Sequence, residues 1–203
     1  MRPRVIHCSR RELNAAGRGR RGRRPSSRQR RSAVTRGSDR GPATGVVYVH
    51  SSPSAVCPHV EWAISGALGT RVDLSWTAQS AAPGQLRAEC VWTGEPGTGG
   101  TLVSALRAWP MLRFEVTEDP SVGVDGERYC HVPELGLWRA ATGANGDIMV
   151  TEDQLRTLAL TSTGQESFGH RVEQMLGSAW DEALEPFRCG GDGAPVTWLH
   201  RVG

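Results

Sequence analysis

The chain contains no lysine; all 24 of its basic side chains other than histidine are arginine. That absence rules out a Walker-type phosphate loop, which needs a lysine after its glycines. No apolar run approaches the length that spans a bilayer, and residues 1–30 lack the apolar core of a secretory signal. Cysteines are few: Cys8, Cys57, Cys90, Cys130 and Cys189 are odd in number and none sits close to another. This spacing excludes the paired motif of structural zinc sites and argues against a disulfide framework, so free thiols and a cytoplasmic location are expected. Abundant Arg, Gly, Ala and Pro with no Lys suggest a GC-rich genome more than selection for guanidinium chemistry.

Acid is also scarce, but only at one end. Residues 1–41 hold 14 Arg against Glu12 and Asp39, whereas residues 42–203 hold 10 Arg against 19 acids. The overall pI of about 8.8 therefore describes neither part. The body carries −9 before histidine is counted, which argues against a nucleic-acid surface on it and favours a protein partner with a basic surface. No cofactor and no membrane contact are expected. The segment RGRRGRRPSSRQRRSAVTRGSDRG has no hydrophobic period, so residues 1–44 are expected to be a disordered tail. A phosphate-binding arm or an organellar transit peptide would share this composition. A start codon assigned too early accounts for it more simply, with Val34 as the expected initiator.

Periodicity organises the rest. Val46–His50 reads as a strand and Pro58–Leu68 as a helix, with Val60, Ala63, Ile64, Ala67 and Leu68 on one face and Gly69 as its stop. Arg71–Thr77 and Gln85–Thr93 alternate as strands around the turn Ala82-Pro83-Gly84. Thr98–Trp109 reads as a helix ended by Pro110, and Met111–Thr117 as a strand with Arg113 and Glu115 opposite its apolar face. The order β-α-β-β-α-β predicts an α+β fold, a ferredoxin-like sandwich over residues 45–119 with spatial strand order 4-1-3-2. Residues 120–203 read as an α+β C-terminal extension packed on it, covering the charged sheet face. Its elements are strands Arg128–Val132, Leu135–Ala141 and Asp147–Val150, a type I′ turn at Asn145-Gly146, helices to about Leu160 and over Glu166–Leu184, and a last strand Pro195–Val202. The seven Trp are expected to fill the core between sheet and cover.

The stretches GVVYVHSSPSAVCPHVEWAISGALG, APGQLRAE, ALRAW, LRFEVTEDPS, GERY, TGANGDIMV, AWDEALEPFR and GDGAPVTWLH resemble an actinobacterial family, domain of unknown function 3145. The resemblance covers about residues 45–202 and leaves the arginine tail outside. It implies no established activity. It does imply an association with genes of type II fatty-acid synthesis, and hence a link to fatty-acid metabolism.

Several residues merit weighing as chemistry. If a helix opens at Pro58, Cys57 is its N-cap, where the positive helix end lowers a thiol pKa. His50, at the end of the preceding strand, would complete a thiolate–imidazolium pair for a thiol-dependent enzyme. The alternative is a buried cysteine beside a satisfied histidine. His50, Cys57, His59 and Glu61 are candidate metal ligands, although i, i+2 spacing on a helix turns Cys57, His59 and Glu61 to different sides. Gly97, Gly99, Gly100 and Thr101 open a helix and could offer N–H groups to an anionic ligand; Glu95 beside them would repel phosphate. Asp181 and Glu185 could act as acid and base, or form a solvated acidic face that Arg188 relieves. No constellation outweighs its structural explanation, and a non-catalytic binding or regulatory module is the expected class.

Overall fold

The computed structural model describes residues 41–161 and 168–188. Along the chain run β1 (Ala43–Pro53), α1 (Cys57–Leu68), β2 (Thr77–Ala78), β3 (Gln85–Gly94), α2 (Thr98–Leu106) and β4 (Arg113–Glu118). They are followed by β5 (Gly126–Val132), β6 (Gly136–Thr142), β7 (Ile148–Met149), α3 (Glu152–Thr161), α4 (Phe168–Leu176) and α5 (Ser178–Arg188). The strands make one mixed-helix-covered sheet, antiparallel at every pairing, in the order β2-β3-β1-β4-β5-β6-β7. The fold is thus mixed α and β.

Alternation in β1 sends Ala43, Gly45, Val47 and Val49 to one sheet face, where all four are buried. There they meet Val60 and Ile64 of α1, Leu102 and Leu106 of α2, Trp92 of β3, and Phe114 and Val116 of β4, forming the main core. The register of β1 slips on both sides between Val49 and Ser52. Such a bulge adds a residue without a ladder partner and re-aims its neighbours. Here it leaves Val49, His50, Ser51 and Ser52 all buried.

Strand β2 is far shorter than the alternation over Arg71–Thr77 predicts. Val72, Leu74 and Trp76 do turn inward to the core. Their donors are used elsewhere: the Val72 N–H donates to Ser65 Oγ at 2.9 Å, and Glu61 accepts from the Leu74 N–H at 3.1 Å and from Trp76 Nε1 at 2.9 Å. Helix α1 thus takes up hydrogen bonds that a longer β2 would need.

The second half extends the sheet as well as covering it. Strand β5 pairs with β4, and β6 and β7 follow, so hydrogen bonding runs through the 119/120 boundary. Helix α5 packs over the second face, burying Cys130, Val132, Trp138 and Leu184 in a smaller core. The helix expected over Glu166–Leu184 is instead α4 and α5, parted at Gly177 with φ +80°. A Cβ there would lie 2.6 Å from the Trp138 ring, so the break lets the chain bend closely over that indole. The turn at Asn145-Gly146 is a longer connection, closed by Gly143 N–H to Asp147 O at 2.8 Å. Trp92 and Trp138 are core residues, but Trp62 is 74% exposed on α1 and corrects the expectation that tryptophan fills the interior throughout. The expected tail falls almost wholly, and the strand Pro195–Val202 entirely, outside the described residues.

Candidate functional site

The densest polar assembly lies where α5 crosses the second sheet face, around Glu115. Because Phe114 and Val116 point to the main core, Glu115 between them must point the other way, and it is 1% exposed. His50 Nε2 donates to Glu115 Oε2 at 2.8 Å. Arg128 Nη2 of β5 donates to Oε1 at 2.9 Å, and Arg188 of α5 donates through Nε at 3.1 Å and also through Nη2. The Cys130 thiol donates to Oε1 at 3.3 Å. Asp181 of α5 accepts from Arg128, and from Arg188 at 2.8 Å, so two guanidinium groups face two carboxylates. Arg188 also pairs with Glu185 at 3.5 Å, the relief its spacing suggested.

Burial pushes the Glu115 carboxyl up, but hydrogen bonds and attraction from His50 and Arg188 outweigh it and hold the group well below the usual carboxylate range. Burial, followed by the nearby Glu115 charge, pushes the Cys130 thiol up. Gln79 closes the assembly: its Nε2 donates to His50 O at 2.7 Å and to Phe187 O at 3.0 Å, and its Oε1 accepts from the Ala81 N–H at 3.0 Å. One amide therefore joins β1, the loop after β2 and the end of α5. With Glu115 and His50 buried and their bonds formed internally, the assembly can clamp α5 to the sheet but offers no exposed acid–base pair.

The residues singled out from sequence are placed as follows. His50 and Cys57 do not bond to one another. The Cys57 thiol donates toward Ser52 Oγ at 3.7 Å and Pro53 O at 3.5 Å, while His50 reaches Glu115 on the opposite sheet face. Cys57 is the first helical residue and Val56 the cap, and burial pushes the thiol up. This reverses the lowering expected at the helix end. Glu61 is taken by Leu74 and Trp76, and His59 stacks on Trp109. Among the described residues no group of three His, Cys, Asp or Glu side chains could hold a metal ion.

The glycine-rich turn before α2 does meet an anion, supplied from within the chain. Glu118 of β4 accepts from the Gly97 N–H at 2.6 Å and the Gly99 N–H at 2.8 Å. A Cβ at Gly99 would lie 2.9 Å from Glu118 Oε2, which explains why glycine stands there. Thr101 Oγ1 turns back to Gly97 O at 3.4 Å, and Gly100 lies beside the Tyr129 hydroxyl. Sequence reasoning found the donors but not the acceptor, because Glu118 is about twenty positions away and only the sheet brings it in.

The model of a family described as Protein of unknown function (DUF3145) matches residues 46–201. The chain belongs to that family. No curated protein and no solved structure matches it. The matched span takes in every member of the Glu115 assembly and both partners of the Glu118 cap. Among the described residues no helix is long and apolar enough to cross a membrane.

Proposed function

We propose that the chain is a non-catalytic binding or regulatory module whose protein partner presents a basic patch. The observation that carries this reading is the use of the chemically capable side chains. His50, Glu61, Glu115 and Glu118 are occupied in holding elements together, and the Cys57 thiol is pushed up by burial. The charge of residues 42–203, 10 Arg against 19 acids, supports an encounter with a basic surface and disfavours nucleic acid. The free thiols Cys57, Cys90 and Cys130 support a cytoplasmic location.

We further read β1–β4 with α1 and α2 as a ferredoxin-like unit to which the C-terminal part adds strands. The order β2-β3-β1-β4 and its antiparallel pairings support this. A link to fatty-acid metabolism rests on the family resemblance alone. The thiol-enzyme and metal-binding alternatives draw no support from the surroundings of Cys57, His50, His59 and Glu61.

Pull-down from host lysate with residues 42–203 as bait, at low and high salt, is the test. The expected result is a protein partner lost as salt rises, because screening shortens the reach of surface charge. A partner retained equally at high salt, or recovery of nucleic acid, counts against the proposal.

A further inference from the structure

Strand β3 is longer than the strand beside it. The Gln79 N–H donates to Gln85 O at 2.9 Å and β2 pairs Thr77 with Arg87, so Gln85 and Arg87 turn their peptide groups away from β1. Residues two apart in a strand send their N–H and C=O groups to the same side. Glu89, Val91 and Thr93 therefore face the same way as Arg87, beyond the end of the two-residue β2. The β1 side agrees. Thr44 O accepts from the Asp119 N–H, and the Val46 N–H donates to Thr117 Oγ1, which leaves Gly45, Val47 and Val49 to meet Trp92, Cys90 and Ala88. Residues 71–76, which precede β2, bond to α1 and not to β3. Among the described residues no strand lies beside Glu89, Val91 or Thr93. Val91 O meets the Cys90 thiol at 3.8 Å, a weak donor.

We propose that residues 195–202 of the same chain complete this edge as a further strand beside β3. The place where α5 ends carries the inference. Phe187 O accepts from Gln79 Nε2 at 3.0 Å, and the N–H of the same Gln79 bonds Gln85, so α5 ends beside the start of β3. The family match continues to residue 201, past the end of α5 at Arg188, so the sequence after the helix belongs to the matched body. Pro195 suits the first position of an edge strand, and Val196, Thr197, Trp198 and Val202 favour extended backbone. The charges fit as well. Residues 193–203 hold Arg201 and no acid, while exposed Glu89 and Glu95 flank the edge and Arg87 reaches Glu89 only at 3.8 Å. The linker sets the direction. Residues 189–194 allow at most about 24 Å from Arg188 to Pro195, whereas Thr93 lies about 27 Å along β3 from Gln85. The added strand therefore enters near Glu89 and runs parallel to β3. The proposal goes beyond the protein-partner reading and does not depend on it.

Its test is amide hydrogen exchange and backbone NOE spectroscopy on the full chain. The Glu89, Val91 and Thr93 amides are expected to be protected as those of Ala88, Cys90 and Trp92 are, with cross-strand NOEs to residues 195–202. Thr197→Pro combined with Trp198→Pro breaks the added strand whichever of the two faces β3. Exchange at Glu89, Val91 and Thr93 should then quicken at least about tenfold, the scale of one backbone hydrogen bond. Ala88, Cys90 and Trp92 should keep the protection that β1 gives them. A mixture of differently labelled chains separates the chain's own segment from that of a second copy. Fast exchange at the three edge amides of the wild type, protection unchanged in the double variant, equal acceleration at Ala88, Cys90 and Trp92, or edge NOEs that arise between chains would each overturn the proposal. No protein partner enters these measurements, so their failure would leave the protein-partner reading to its own pull-down test.

Discussion

Glu115 illustrates how one side chain acquires its role from neighbours distant in sequence. Alternation in β4 predicts only that it faces away from Phe114 and Val116. Its partners lie 65, 13 and 73 positions away, at His50, Arg128 and Arg188. Replacing it with alanine removes the buried carboxylate that Arg128 and Arg188 share and leaves both to Asp181; breaking a buried ionic assembly in this way costs about 3–5 kcal/mol. Urea unfolding of Glu115→Ala at neutral pH should show a loss of that size. The pH dependence follows from the depressed folded pKa. The stabilisation from the ionised carboxylate is fully present above the unfolded Glu value of about 4.3 and is lost as pH falls through the lower folded value. Stability curves of the wild type and Glu115→Ala should therefore converge in acid; curves that stay parallel to the acid limit would show that Glu115 is not held ionised. For Cys57 the raised pKa and burial predict inertness. Iodoacetamide followed by mass spectrometry should label it only on unfolding, and fast folded-state labelling at neutral pH would revive the thiol-enzyme reading.

At the scale of elements, the start of α2 and the break between α4 and α5 are informative. Helix α2 begins after Gly97, at φ +92°, and has no side-chain cap from its own N-cap residue. Glu118 supplies the missing acceptor from β4, at two N–H groups. Glu118→Ala should cost roughly 1–3 kcal/mol, the range of a lost cap and of hydrogen bonds to a charged group. The loss should appear as faster amide exchange at Gly97 and Gly99; unchanged exchange would remove Glu118 from this role. At Gly177 the left-handed backbone and the Trp138 ring act together. Gly177→Ala meets both the positive-φ penalty of about 1 kcal/mol and a forced shift of the indole. Its thermal unfolding midpoint should fall, accompanied by a near-ultraviolet circular dichroism change from displaced Trp138. An unchanged midpoint and spectrum would mean that α4 and α5 can join as one helix.

For the whole molecule, the charge division leads to a simple expectation. Residues 1–41 show no hydrophobic period that would give them an apolar face to bury, and β1 begins at Ala43. Deleting them should leave the melting temperature unchanged within error and abolish any binding to DNA at physiological salt, since the remaining body is acidic. Calorimetry and fluorescence anisotropy on the full and shortened chains check both points. A melt that drops on truncation, or DNA retained by residues 42–203, would show that the division by charge misplaces either stability or binding.

What the sequence alone determined is local in origin. Periods of 2 and 3.6 place β1, α1, β3, α2 and β4, because each face must bury its own apolar residues whatever it meets. The charged side of β4 and the relief of Glu185 by Arg188 were legible in the same way. The tertiary structure decided everything that depends on which distant group arrives as a partner. It shortened β2 by giving the Val72 and Leu74 N–H groups to α1, filled the anion-like turn before α2 with Glu118, and separated His50 from Cys57 by sending His50 to Glu115. The physical reason is common to all three. A buried donor or acceptor must be satisfied, but its own sequence neighbourhood does not specify by whom.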